Sequence, residues 1–120
     1  MSIDVSTHQS DGIAVVGLRG RITLGEGTEA LRDTVRDLLS KGQNRILLNL
    51  GEVNYIDSTG LGILTVCSAT MKAGGGALRV AGAQPLPQKL FQITQLDKIL
   101  SFFPRVEDAC RDFTLADSAG

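Results

Sequence analysis

Asp57, Ser58 and Thr59 stand together ahead of two glycines in the run Tyr55-Ile56-Asp57-Ser58-Thr59-Gly60-Leu61-Gly62. A carboxylate beside two hydroxyls supports three kinds of chemistry. The plainest is capping: Asp57 or Ser58 can accept a bond from a free backbone N–H at a helix start. Capping alone leaves Gly60 and Gly62 unexplained, because each costs a helix roughly 1 kcal/mol relative to Ala. Their expected use is close backbone approach, or leaving the Ser58 hydroxyl uncovered. The second chemistry is phosphoryl acceptance. A helix N-terminus suits an anion, through its unpaired N–H groups and positive dipole end. A phosphate on Ser58 would add about −1.5 to −2 charges at pH 7. Beside Asp57, that charge would repel a partner surface fitted to neutral hydroxyls, at a cost on the order of a few kcal/mol. The third is nucleophilic catalysis, which needs a base within reach. The one histidine, His8, falls on a terminal strand, and the run is not G-x-S-x-G. It also has one residue too many for the Asp-Ser/Thr-Gly of aspartic proteases, and no second copy exists. No enzyme is expected.

Those residues require a strand that ends and a helix that begins at this corner. Arg45 to Leu50 contains Ile46-Leu47-Leu48 and Leu50, a continuous apolar run that predicts a strand covered on both faces. Gly51 to Ile56 then leads into the corner. Beyond it, Leu61, Ile63, Leu64, Val66, Cys67 and Met71 predict a deeply packed helix to about Lys72, ended by Gly74-Gly75-Gly76. Upstream, Ile3 to His8 reads as an edge strand, Ser10-Asp11-Gly12 as a turn and Ile13 to Leu18 as the second arm of a hairpin. Gly20 to Thr28 reads as a loop with Thr28 as N-cap of a helix from about Glu29 to Lys41. That helix carries its apolar stripe at Leu31, Val35, Leu38 and Leu39, with Arg32, Asp33, Arg36 and Asp37 as a solvated face. Downstream, Ala77 to Ala83 predicts a strand, and Leu86 to Thr94 a short helix. Leu96 to Phe103 holds a last strand, and Val106 to Phe113 a final helix. Residues 114–120 read as a frayed tail. The order β-β-α-β-α-β-α-β-α predicts one α/β domain, a mixed β-sheet with a parallel centre and packed α-helices.

Other motifs are weaker. Gly25-Glu26-Gly27-Thr28-Glu29-Ala30 matches G-x-G-x-x-A, with Glu52 at the distance of a dinucleotide fingerprint. The preceding strand reads as a hairpin arm, however, the loop is long for a phosphate turn, and 120 residues are too few for two dinucleotide-binding halves. The triple glycine precedes a strand, and no Lys-Ser/Thr follows it. His8 has no second histidine or acidic cluster at metal spacing, so no metal site and no cofactor is assigned. Cys67 and Cys110 lack CxxC spacing and read as buried, reduced thiols.

Composition bounds the partners. A net charge of −1 with no basic stripe argues against nucleic acid, and 4% aromatics leave little for base stacking and predict an aliphatic core. Neither a secretory signal nor a membrane-length apolar run is visible, and Ser2 in place of a glycine removes N-myristoylation. A cytoplasmic protein is expected.

From about Ile3 to Phe113 the sequence resembles the STAS domain family, and within it the bacterial anti-sigma factor antagonists. The likeness is carried by Ile46-Leu47-Leu48-Asn49-Leu50 followed by Tyr55 to Gly62, then by Leu78-Arg79-Val80-Ala81-Gly82 and by Pro85 to Leu96. The resemblance implies partner switching. Ser58 would be the phosphoacceptor of a serine kinase that is itself the anti-sigma factor. The unphosphorylated chain would bind that kinase and free the sigma factor, and a metal-dependent serine phosphatase would restore the binding form. Asp57, Thr59, Gly60, Leu61 and Gly62 would belong to the docking corner, and ATP to the kinase. One departure stands out: where antagonists of this type often carry Gly-x-Leu-Asp, this chain has Gly20-Arg21-Ile22-Thr23. Thr23 replaces the acid, and Glu26 is a nearby residue that could supply a charge. A constitutive STAS scaffold in a stress-sensing or transport complex is the alternative. A weak homo-oligomer and modification of Thr59 stay open.

Overall fold

The computed structural model describes residues 3–119, with side chains for all of them except 26 and 115–119. A hairpin opens the fold. Strand β1 (Ile3–Ser10) pairs antiparallel with β2 (Ile13–Ile22), and Ser10 faces Ile13 across the turn. Both turn residues take positive φ, Asp11 at 51° and Gly12 at 79°. That is the tight two-residue turn for which Asp-Gly is suited. β2 then pairs in parallel with β3 (Arg45–Ile56), β3 with β4 (Ala77–Ala81), and β4 with β5 (Ser101–Phe103). The order β1-β2-β3-β4-β5 gives a mixed sheet, antiparallel at one edge and parallel elsewhere. This is the α/β fold class expected from the element order.

Strand parity sorts the helices onto two faces. Helices α1 (Glu26–Ser40), α2 (Ser58–Ala73) and α3 (Pro85–Ile93) cover one face. There Leu31, Val35, Leu64, Met71 and Phe91 meet Ala14, Val16, Ile46, Leu48 and Val80 in the main core. On the other face, Ala109 and Phe113 of α4 (Val106–Ala119) meet Ile13, Val15, Leu47 and Ala81. Ile46, Leu47 and Leu48 are all fully buried because helices cover both faces of β3, as the unbroken apolar run requires. The core is mainly aliphatic but not wholly so. Phe91 and Phe113 are buried in it, and Phe91 stacks on Phe102 with ring centroids 4.5 Å apart.

Several boundaries differ from the sequence expectation, for identifiable reasons. β2 runs on to Ile22 and β3 to Ile56, each well past the expected end, because the two strands pair along their whole lengths with register shifts near Gly17 and Gly20. The connection to α1 is therefore the short turn 23–25 and not a loop from Gly20. Gly25, at φ 97°, is the N-cap of α1. Thr28 lies inside the first turn, buried, and its hydroxyl donates to the Gly25 carbonyl (3.1 Å). β4 stops at Ala81, where Gly82 turns with φ 75° and its N–H donates to the Phe103 carbonyl. α4 continues through most of the stretch read as a tail. No glycine or proline interrupts 114–119, and the Thr114 hydroxyl donates back to the Cys110 carbonyl.

Candidate functional site

The site is built where β2 and β3 end side by side. Ile22 is in register with Ile56, and the Asp57 N–H donates to the Ile22 carbonyl (3.3 Å). Asp57, in extended backbone conformation, is the N-cap of α2. Its two carboxylate oxygens do different things. Oδ1 accepts from the Gly60 N–H (2.7 Å), closing the helix start, while Oδ2 accepts from the Leu24 N–H (3.0 Å). One side chain thus fastens the β2–α1 turn to the α2 N-terminus. The amides of Leu24 and then Gly60 hold the Asp57 carboxyl below its ordinary pKa, against a small opposing effect of burial.

The division of labour between Asp57 and Ser58, left open by the sequence, is resolved: Asp57 caps. Ser58 is the first residue of α2, exposed, and its hydroxyl makes no hydrogen bond among the described residues. Thr59 is likewise exposed. The two glycines separate in role. Gly60 is buried, and a β-carbon there would overlap the Ile22 carbonyl oxygen and lie 2.8 Å from Ile56 Cγ2. Gly62 is exposed, and a β-carbon there would meet nothing within 4 Å. Leu61 turns inward against the main core. Of the expected docking residues, Ser58, Thr59 and Gly62 present the surface, whereas Asp57, Gly60 and Leu61 shape it from beneath.

Thr23 sits half-buried in the turn tied down by Asp57, and its carbonyl accepts from the Thr28 N–H (3.2 Å). The Glu26 side chain lies outside the described residues; its backbone begins α1. Between α1 and α2 runs an open groove of about 450 Å³, lined by Leu24, Thr28, Arg32, Thr59, Ile63 and Val66 among others. Leu24 is 75% exposed and Val66 47%. Neither carries a sequence signal, since a leucine in a turn and a valine in an apolar helix are ordinary. Arg32 corrects the reading of its helix: it is not on the solvated face with Asp33, Arg36 and Asp37 but half-buried on the flank turned to α2.

Among the described residues no group of three or more His, Cys, Asp or Glu is placed to hold a metal ion. His8 is exposed on β1 opposite Val15. Cys67 is buried and Cys110 half-buried, both as free thiols. Gly27, the second glycine of the G-x-G-x-x-A run, is buried within the first turn of α1. No helix among the described residues is long and apolar enough to cross a membrane.

A long strand covered on both faces that delivers a capped, glycine-bearing helix start at the rim of a mixed five-stranded sheet defines a class, and comparison with known proteins supplies its name. The STAS domain family matches residues 4–109, and the chain belongs to that family. Among curated relatives, the anti-sigma-B factor antagonist of Bacillus subtilis is 29% identical over 107 residues, covering 89% of this chain and 96% of its own length. In structure, the chain is similar to an anti-sigma factor antagonist from Mycobacterium paratuberculosis (TM-score 0.80, 24% identity, 92% of this chain and 93% of that one). It is also similar to the phosphorylated form of the Bacillus cell fate determinant SpoIIAA (TM-score 0.69, 19% identity, 92% and 99%). At those identities the structural likeness establishes the fold.

Proposed function

We propose that the chain is an anti-sigma factor antagonist, a regulatory binding protein and not an enzyme, that works by partner switching through Ser58 in the cytoplasm. The observation that carries this reading is the free hydroxyl. Asp57 takes the capping bond that would otherwise engage Ser58, so the serine is presented to solvent at the first position of α2 with no competing partner among the described residues. A serine kinase that is itself the anti-sigma factor docks on the unphosphorylated corner, and the sigma factor is released.

Phosphorylation of Ser58 then reverses binding by electrostatics. The Asp57 carboxylate already occupies the Gly60 and Leu24 amides, so the phosphate cannot neutralise itself on them and projects toward the partner. It carries about −1.5 to −2 charges beside a carboxylate that is itself held ionised. A partner surface complementary to hydroxyls meets like charge and desolvated phosphate, which shortens the life of the complex. A metal-dependent serine phosphatase restores the binding form, and ATP is bound by the kinase. Gly60, Leu61, Gly62 and Thr59 give the corner its shape, and the Thr23 turn is its second wall. Thr23 brings no charge of its own, and Glu26 is proposed to supply one nearby.

The test is capture of partners from native lysate by wild type, Ser58→Ala and Ser58→Glu, with and without ATP, and identification by mass spectrometry. A kinase-like protein retained by wild type and Ser58→Ala, released from wild type alone by ATP, and missed by Ser58→Glu is the expected result. Identical partners for all three variants, indifferent to ATP, would replace the switch with a constitutive scaffold.

A further inference from the structure

Arg32 is the anomaly of the α1–α2 interface. Its Nε is buried with no hydrogen-bond partner among the described residues. Only this nitrogen is buried, Arg32 as a whole being half-buried, so the rest of the guanidinium stays open to the groove while one donor goes without an acceptor, which calls for an explanation. Among the described residues its surroundings do not supply one. Glu29, one turn earlier on α1, is exposed and makes no ion pair with it among the described residues. Cys67, across on α2, is near enough to feel the positive charges of Arg32 and Arg36, but burial dominates and pushes its thiol up to about 11. The thiol therefore stays neutral and cannot serve as a counter-ion.

The groove beside Arg32 has the complementary character. Its walls include the apolar Leu24, Ile63 and Val66, two of them substantially exposed, with the exposed Glu29 on the α1 rim, and it joins the Ser58 corner through Thr59 and Gly62. We propose that this groove takes an apolar segment of the partner protein that sets an Asp or Glu carboxylate onto Arg32. The proposal rests on the reading of the α2 corner as a protein-docking surface, and adds to it the residue that selects the partner. A carboxylate fits the planar guanidinium by geometry as well as charge. Seating an apolar segment removes water from Leu24 and Val66 and strengthens the ion pair by lowering the local dielectric. A segment of the same shape without the acid leaves Arg32 dry and unpaired, which is how the groove discriminates.

The experiment uses the full chain, unphosphorylated and without any kinase. A displayed library of short helical peptides, with Leu or Ile at i, i+3, i+4 and i+7 and the other positions randomised, is selected on wild type. Enriched peptides are expected to share an Asp or Glu at one fixed position. Replacing that acid by its amide, or Arg32 by Gln, should each weaken binding by about tenfold or more, and the two changes together no further. In nitrogen-resolved NMR spectra the Arg32 Nε–H and the amides of Leu24, Gly62 and Val66 should move on binding. Should Arg32→Gln fail to fold, the acid-to-amide peptide on wild type carries the comparison alone. No enrichment, enrichment without an acid, equal binding to Arg32→Gln, or shifts confined to another face would each overturn the proposal. Inorganic phosphate moving the Arg32 signal with peptide-like affinity would overturn it as well, assigning the groove to a small anion. Because Ser58 is unmodified throughout, failure of the phosphorylation switch leaves these outcomes unchanged, and failure here leaves the Ser58 capture experiment standing.

Discussion

Gly60 lies with its α-carbon against the carbonyl oxygen of Ile22, leaving no volume for a β-carbon. The glycine is what lets α2 start directly beside the end of β2, and so what brings the Ser58 corner next to the Thr23 turn. Gly60→Ala must push the helix from the strand. Overpacking of this kind costs typically about 1–3 kcal/mol, which outweighs the roughly 1 kcal/mol gained from alanine's helix propensity. Urea denaturation should show a net loss of stability, with the Leu24 amide signal displaced as the Asp57 bond loosens.

A second prediction concerns pH. The folded Asp57 carboxyl titrates below its ordinary 3.8, so the folded chain binds this proton less readily than the unfolded chain does. The stability it contributes is complete above the unfolded value and is lost as pH falls through the lower folded value. Asp57→Asn keeps one capping oxygen for Gly60 but removes the charge and sets an NH2 donor against the Leu24 N–H in place of the second acceptor. Thermal melts should show a lower midpoint than wild type at pH 7 and a gap that closes toward pH 2. A gap constant across that range would assign the loss to the acceptor missing toward Leu24 and not to the charge.

The corner was legible because its chemistry is local: a strand, an acid, two hydroxyls and two glycines in eight consecutive residues. Burial of β3 on both faces was legible for the same reason, from Ile46-Leu47-Leu48. What the sequence did not reveal depends on pairing between distant segments. The extension of β2 and β3 is driven by their mutual register, and Arg21, Glu52 and Asn54 are poor strand formers viewed alone. Gly25 took the capping role from Thr28 because the turn from β2 is short, which nothing in the run Gly25 to Ala30 shows. Arg32 looked solvated because it alternates with Asp33 and Arg36; only the position of α2 reveals that its flank is covered.

Arg79 fastens α4 to the sheet. Its Nε donates to Asp112 Oδ2 at 2.7 Å, and its guanidinium lies 4.4 Å from the centre of the Phe113 ring. The Arg79 side chain is only 16% exposed, but Asp112 is 42% exposed, so solvent screens part of the ion pair. Arg79→Met is expected to lose about 1–2 kcal/mol, mostly through the hydrogen bond and the cation–π contact. Asp112→Asn, which spares the ring contact, should lose less than about 1 kcal/mol. Hydrogen exchange should quicken along α4 in Arg79→Met while α1 and α2 keep their protection.

The two cysteines should differ in reactivity. Burial raises the Cys67 thiol to about 11, leaving a thiolate fraction of about one in a thousand at pH 8 with no route for reagent. Cys110 is half-buried, its pKa raised first by burial and then by the charges of Asp11 and Glu107. An aromatic disulfide reagent should titrate one thiol slowly in the native chain, and both at once in denaturant. Cys110→Ser should abolish the native reaction, whereas Cys67→Ser should leave it intact.

Gly62 separates stability from binding. It occupies the first turns of α2 with open space above it, so alanine should stabilise the helix by up to about 1 kcal/mol. The same methyl group projects into the groove beside Thr59 and Val66, where a partner segment would have to pass. Gly62→Ala should therefore raise the urea midpoint while weakening partner capture, a combination that general damage to the fold cannot produce. Greater stability with unchanged capture would place the partner contact elsewhere on the corner, at Ser58 and the Thr23 turn.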